Sequence, residues 1–332
     1  MKRKGSIIKW LIISSLLLVL VACQSGDPLS VDGQESGIET DTTGQEEAAS
    51  SSDQSAGESY SVIDDLGQEV VFDKVPETVI SLQPSNTEIL FALGVGDKIV
   101  GVTQFDNYPE EAKSIERVSD SVNINAERII ELNPDVVFAY TIVEKESIQP
   151  LVEAGIPVFV IKSATSFEDV YDDIEQIAQV MGVTEKGEEL IGEIKAQIEA
   201  VKKQVQTVDK PKTIYLEISP APDIYTTGGN TFQNEILQKA GVENAFADQD
   251  GWIKVAEEEV IQRDPDIIAT TVKGGADPVG EIKGRPGWQD LTAIQNGDVY
   301  LLDEELLTRP GPRIGQAVQA VAEIAYPEIF RN

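Results

Sequence analysis

Two landmarks recur in this chain in the same order, and they constrain its fold more than any other feature. Glu88-Ile89-Leu90 followed by Gly94-Val95 returns as Glu235-Ile236-Leu237 followed by Gly241-Val242. The run from Glu127 to Val137, with Asn133-Pro134-Asp135 inside it, returns from Glu258 to Ile268 with Asp264-Pro265-Asp266. Each landmark reads as a short helix stopped by Gly or by an X-Pro step, and in the second a buried strand follows at once. The spacings between them differ, so the chain is a pseudo-repeat of two like lobes and not a tandem array.

Between the halves lies Glu185 to Gln206. Leu190, Ile194, Ile198, Val201 and Val205 recur every three or four residues, which places them on one face of an α-helix. Glu185, Glu188, Glu189 and Glu193 crowd its first half and Lys195, Lys202 and Lys203 its second, an order that suits the helix dipole. Gly187 and Gly192 read as tolerated blemishes costing roughly 1 kcal/mol each against Ala. At ~1.5 Å per residue the helix runs roughly 33 Å, the breadth of a small domain. A rod of that length between two like flanks is expected to bridge them.

The chain has 332 residues, of which 41% are hydrophobic, enough for two cores of ordinary size. Its formal net charge of −32 disfavours a nucleic-acid partner, because phosphate binding depends on basic patches. His is absent, which removes the commonest general base, zinc ligand and haem ligand together. Cys23 is the only cysteine, so disulfides and thiolate metal clusters are excluded. No Walker loop or nucleophile elbow occurs, and no cofactor or catalytic residue is expected.

Lys2, Arg3, Lys4 and Lys9 precede an apolar run from Trp10 to Ala22, the pattern of a secretory signal. It closes on Leu20-Val21-Ala22-Cys23, which resembles the bacterial lipobox and implies cleavage before Cys23 and acylation of its thiol. Residues 1–22 are therefore expected to be a lipoprotein signal peptide. Their removal takes away four positive and no negative charges, so −32 becomes −36. Residues 23–59 are rich in Ser, Gly, Thr, Asp and Glu, without Lys or Arg, and are expected to be a disordered acidic tether. A lipid on Cys23 would hold the chain on the extracytoplasmic face of a cell membrane, as in Gram-positive-type lipoproteins.

From Tyr60 onward the expected fold is α/β. Ser61 to Phe72 reads as two short strands around a Gly turn. Apolar strands at 78–82, 99–102, 135–140 and 158–161 alternate with helices at 87–93, 144–154 and 167–181. The pattern restarts with strands at 213–218, 267–271 and 298–302, and with helices at 231–240 and 314–325. This gives two Rossmann-like lobes, each with a mostly parallel central sheet: an N-terminal lobe at 60–182, the bridging helix at 183–208 and a C-terminal lobe at 209–332. Ligands in such folds sit beyond the carboxyl ends of the strands. The loops there carry Gln83, Phe105, Tyr108, Arg117 and Tyr140 in the first lobe, and Tyr225, Trp252, Arg309 and Arg313 in the second. Aromatic and amide-rich walls with few cations suit a large, amphipathic, roughly neutral ligand. Glu88 and Glu235 hold matched places early in their helices, where a carboxylate suits the dipole. Their matching also suggests two acidic knobs offered to basic sockets on a partner.

Val79-Ile80-Ser81-Leu82-Gln83-Pro84-Ser85-Asn86-Thr87-Glu88, Tyr108-Pro109, the two Pro-Asp joints and Arg309-Pro310-Gly311-Pro312-Arg313-Ile314 occur in order across nearly the whole mature chain. Taken together they resemble the periplasmic binding proteins of metal-chelate ABC importers. The resemblance implies a monomeric receptor that delivers a chelate to an ABC permease dimer with a cytoplasmic ATPase. It implies that Glu88 and Glu235 dock onto permease arginines and that the long helix limits closure to small lobe movements. Thr103 to Pro109, Tyr225 to Gly228 and Gly251-Trp252 resemble contact loops of the cobalamin-binding branch. Ser121 departs from that branch, standing where a tryptophan is expected. Cobalamin is thus the first expectation and a ferric siderophore the alternative, with a non-transport surface adhesin or sensor third. Haem and free zinc or manganese are disfavoured by the absence of His.

Overall fold

The structure is a computed structural model that describes residues 59–120, 123–141 and 145–330. The expected signal peptide, Cys23, nearly all of the expected tether, and Ser121 lie outside the described residues.

The chain opens with an antiparallel hairpin, β1 (Tyr60–Ile63) and β2 (Glu69–Phe72), turned at Gly67 with φ of 75°. There follow β3 (Val79–Ser81), α1 (Pro84–Ala92), β4 (Ile99–Thr103), β5 (Arg117–Ser119), α2 (Ala126–Leu132), β6 (Val136–Tyr140), α3 (Lys145–Glu153), β7 (Val158–Ile161) and α4 (Phe167–Val180). The five strands β3 to β7 form an all-parallel sheet in the order β5-β4-β3-β6-β7.

Next comes α5 (Thr184–Val205), a single helix close to the bounds the periodicity predicts. The second half runs β8 (Thr213–Ser219), β9 (Tyr225–Thr227), α6 (Phe232–Lys239), β10 (Glu243–Asn244), β11 (Trp252–Lys254), α7 (Glu257–Arg263) and β12 (Ile267–Thr270). It ends with α8 (Pro278–Lys283), α9 (Thr292–Asn296), β13 (Val299–Leu301), α10 (Glu304–Thr308), α11 (Ile314–Ala325) and α12 (Pro327–Phe330). Its sheet is mixed, ordered β11-β9-β8-β12-β13, and β10 pairs with the first residues of β8. β9 and β11 are antiparallel additions that carry Tyr225 and Trp252 on strands, where sequence reasoning expected loops.

Alternation along the parallel strands shows why both sheet faces are covered. Val79, Val136 and Phe138 face a core shared with α4 and α5, while Ile80, Val137 and Ala139 face a second cluster under α2 and α3. In the second sheet Ile214, Leu216, Ile267 and Ala269 join the shared core, and Tyr215 and Ile268 turn to the opposite face with Trp288 and Phe246. The shared core is continuous through α5. Ile191, Ile194, Ile198, Val201 and Val205 are all buried, and α5 packs on α4 at one side and α11 at the other. Each such side chain contributes roughly 1.5–3 kcal/mol when fully buried.

The doubled landmark has a matching hydrogen-bond pattern in both halves. Asp135 Oδ2 accepts from the backbone N–H and hydroxyl of Thr78, and Asp266 Oδ2 accepts from the same two groups of Thr213. In return each threonine hydroxyl oxygen accepts from the backbone N–H of its aspartate. Asn133 and Asp264, one residue before each proline, end their helices in the left-handed region at φ of 45° and 41°. The Pro-Asp joint therefore stops the helix and ties the next strand to the first strand of its sheet.

The two glycines of α5 differ. A Cβ at Gly187 would stand 2.7 Å from Ala178 Cβ, because α4 and α5 approach closely there, whereas one at Gly192 meets nothing within 4 Å. Gly187 is a packing requirement and only Gly192 is a blemish. Thermal unfolding should accordingly show Gly192→Ala raising stability by up to about 1 kcal/mol. Gly187→Ala should lower the melting temperature despite the better helix propensity; equal stabilisation by both would contradict this packing.

Candidate functional site

Each sheet reverses its strand order beside its first strand, and a ligand crevice is expected beyond the carboxyl ends there. In the first lobe Gln83 and Ser85 follow β3, Tyr140 ends β6, and Lys162 to Ala164 follow β7. In the second lobe Phe232 and Gln233 open α6, Trp252 lies on β11, and Thr308 and Pro310 close α10. These residues line one cavity of about 130 Å³. Tyr140 donates its hydroxyl proton to Ser163 Oγ at 2.6 Å, and Trp252 Nε1 donates to Gln233 Oε1 at 3.2 Å. Trp252 is 57% exposed, leaving much of its surface free for a guest.

Of the sequence-predicted site residues, Gln83, Tyr140 and Trp252 meet in this cavity. Lys162, Ser163, Ala164, Phe232 and Gln233 line it too and were missed, although the first three follow directly on a strand the sequence revealed. Arg117 turns elsewhere: its guanidinium donates to the carbonyls of Asp106, Ala112 and Lys113 and so fixes the segment between β4 and β5. Tyr225 is exposed on β9, away from the cavity lining.

The remaining predicted residues gather around Glu88. Arg313 donates from Nε to Glu88 Oε2 at 2.7 Å and from Nη2 to Oε1 at 2.6 Å, and Arg309 Nη1 reaches Oε1 at 2.9 Å. The Arg313 guanidinium also lies 4.0 Å from the centre of the Tyr108 ring. Arg309 Nη1 donates to Asn107 Oδ1 at 3.0 Å, and Nη2 approaches the Phe105 carbonyl at 3.5 Å. The Glu88 side chain is 1% exposed. It is not the open acidic knob expected from the sequence, because two cations of the opposite lobe enclose it.

Glu235 reaches across in the reverse direction. Its Oε2 accepts from the backbone N–H of Phe167 at 2.9 Å, at the first turn of α4, where the helix dipole favours a carboxylate. Lys239 stands 3.4 Å from its other oxygen, and the rings of Phe167 and Phe232 meet at 5.7 Å. The pair of matched glutamates thus forms a matched pair of contacts between the lobes.

Beside the cavity, and sharing Lys162 to Ala164 with it, is a hollow of about 270 Å³ lined by Asp65, Asp169, Asp172 and Asp173. Burial, and the neighbouring carboxylates of Asp65, Asp169 and Asp172, push the Asp173 carboxyl up to about 8. Asp169, by contrast, is held below the usual range: burial opposes ionisation, but hydrogen bonds from Thr165 and Ser166 outweigh it.

Two α/β lobes on one rod, with a crevice at their facing strand ends, define a solute-binding fold. The chain belongs to the periplasmic binding protein family, whose profile matches residues 79–306. It is 41% identical over 278 residues to an uncharacterized ABC transporter substrate-binding lipoprotein, YvrC, of Bacillus subtilis, covering 81% of this chain and 87% of that protein. It is 32% identical over 249 residues to a vitamin B12-binding protein of Vibrio parahaemolyticus, covering 74% of this chain and 88% of that protein. A crystal structure of a possible iron-binding, periplasmic solute-binding protein from Staphylococcus epidermidis superposes with a TM-score of 0.69 at 34% identity. That match covers 76% of this chain and all of the other.

The raised Asp173 group fixes a sign for pH dependence. It binds a proton in the folded state that the unfolded chain releases near pH 4, so its contribution to stability is full below that and is lost as pH rises through about 8. Chemical denaturation from pH 5 to pH 8 should show Asp173→Asn gaining on the wild type as pH rises. The same free-energy difference at both ends would contradict the buried, self-repelling site.

Proposed function

We propose that this chain is the extracytoplasmic solute-binding lipoprotein of an ABC importer. It captures a metal chelate between its lobes, cobalamin or another corrinoid first, and is held to the membrane through Cys23. Glu88 and Glu235 are proposed to meet basic sockets on the permease. The observation that carries the choice of chelate is the commitment of the cations. Arg309 and Arg313 bind Glu88, Arg285 is buried against Glu217 and Glu281, and Arg117 holds backbone carbonyls. Lys162 is the one cation that lines the interlobe cavity among the described residues. Walls of Tyr140, Phe232 and Trp252 with Gln83 and Gln233 suit a neutral, flat, amide-bearing guest better than a polyanion. The identity to a vitamin B12-binding protein supports the same reading.

A ferric siderophore is the second reading, favoured by one observation. Arg309 and Arg313 lie on the loop whose Thr308 and Pro310 line the cavity, and they would be available to an anionic guest if Glu88 released them. The likeness to a possible iron-binding protein agrees with it.

Isothermal calorimetry against cyanocobalamin and against a ferric tricatecholate separates the two. Cyanocobalamin should bind stoichiometrically, and Trp252→Ala or Tyr140→Ala should weaken it about tenfold, the loss of one aromatic contact of roughly 1–1.5 kcal/mol. Tight binding of the tricatecholate with none of cyanocobalamin would overturn the corrinoid assignment.

A further inference from the structure

The cavity is too small for the guest proposed for it, and the loop that lines it through Thr308 and Pro310 also carries the two arginines that bury the proposed docking group. Ligand sites of drug-sized molecules enclose about 300–1,000 Å³, against about 130 Å³ for this cavity; a separate hollow of about 440 Å³ beside the Glu88 contact is lined by Tyr108, Arg313 and the α5 residues Leu190 and Ile194. A Cβ built on Gly311 would stand 3.7 Å from Ser85, so the loop that bears both arginines rests directly on the start of α1. Asn86, next in sequence, has both polar side-chain atoms buried without a partner. Unpartnered buried amides are uncommon, and this one lies beside the contact between that loop and α1.

We infer that Glu88 with Arg309 and Arg313 is a latch that holds the empty receptor shut, and that Glu235 on Phe167 is its weaker counterpart. Three charge-assisted hydrogen bonds in a nearly dry site make the first contact strong. The second joins one carboxylate oxygen to one backbone N–H and stays partly wet. A bulky chelate enters only when both contacts part. Parting turns Glu88 from a group enclosed by its own arginines into one that a cationic partner surface can reach. An empty receptor therefore hides a docking carboxylate that an opened one presents, and a permease arginine competes with Arg309 and Arg313 for the same oxygens. The purpose of the latch rests on the receptor reading above; its existence does not.

The test needs no ligand. In the full chain with Cys23→Ser, spin labels on Glu127→Cys and Lys283→Cys, one exposed site in each lobe, report the interlobe distance by double electron–electron resonance. The parent should give one short, narrow distribution. Glu88→Gln should lengthen and broaden it, and so should the independent variant Arg309→Gln with Arg313→Gln; Glu235→Gln should do so less. Unchanged distances in both sets would overturn the latch. So would loss of fold in both, since that would make Glu88 a brace that the lobes need to fold. Cyanocobalamin and a ferric tricatecholate are then titrated into Glu88→Gln, where binding should tighten fivefold or more as the closed population falls. Opened lobes that take neither probe would leave the latch standing and remove the chelate assignment. Cyanocobalamin binding with parental distances would do the reverse.

Discussion

The apolar face of α5 is the constraint on which the rest of the molecule depends. Ile191, Ile194, Ile198, Val201 and Val205 belong to a single continuous cluster that takes in core residues of both sheets. A helix whose one face serves two cores cannot swing freely, because any large rotation would pull one end of that face into water. At about 25 cal/mol per Å² of exposed apolar surface the penalty rises quickly. Lobe movements in such a molecule are therefore expected to be small tilts about the rod. Such tilts produce their largest displacement away from α5, and no α5 residue lines the cavity that holds Tyr140 and Trp252.

Against that apolar hinge stands a polar closure. Glu88 and its two arginines lose hydration when the lobes meet, and their mutual attraction must offset that loss. The geometry is good enough to do so, with Arg313 forked on both carboxylate oxygens and Tyr108 covering the guanidinium. The contrast with Glu217 and Arg285 is informative. That pair is even more deeply buried but lies within one lobe, between β8 and the turn after α8, and Glu281 and Tyr215 complete its hydrogen bonds. One ion pair braces a lobe; the other spans two. Chemistry alike at the level of side chains has different consequences because of where the chain places it.

The sequence made the architecture legible because the architecture is periodic. The apolar repeat predicted α5 and α11 with bounds that match the observed helices closely, and the Pro-Asp joints located β6 and β12. β5, β9, β10 and β11 were not legible: their two or three residues are largely polar, whereas β3 and β13, no longer, sit in apolar runs. Gly187 looked like Gly192 because nothing local distinguishes them; only the close approach of α4 does. Of the cavity's lining, Gln83 and Tyr140 follow from the rule that loops beyond strand ends meet there, whereas Trp252 lines it from β11, a strand and not the expected loop. The partners of Glu88 could not be placed, because they lie more than 220 residues away and no spacing rule connects them.

A closure made of charges suits a receptor that must reopen. Had the lobes met through leucines and phenylalanines, parting them would expose apolar surface with nothing to compensate, and the closed form would be a trap. When Glu88, Arg309 and Arg313 part, water enters and rehydrates each of them, so the free energy of the open and closed forms can lie close together. A guest that props the lobes apart then has to supply only the small difference, while the apolar face of α5 stays buried throughout. The hinge is apolar because it must never open, and the rim is ionic because it must.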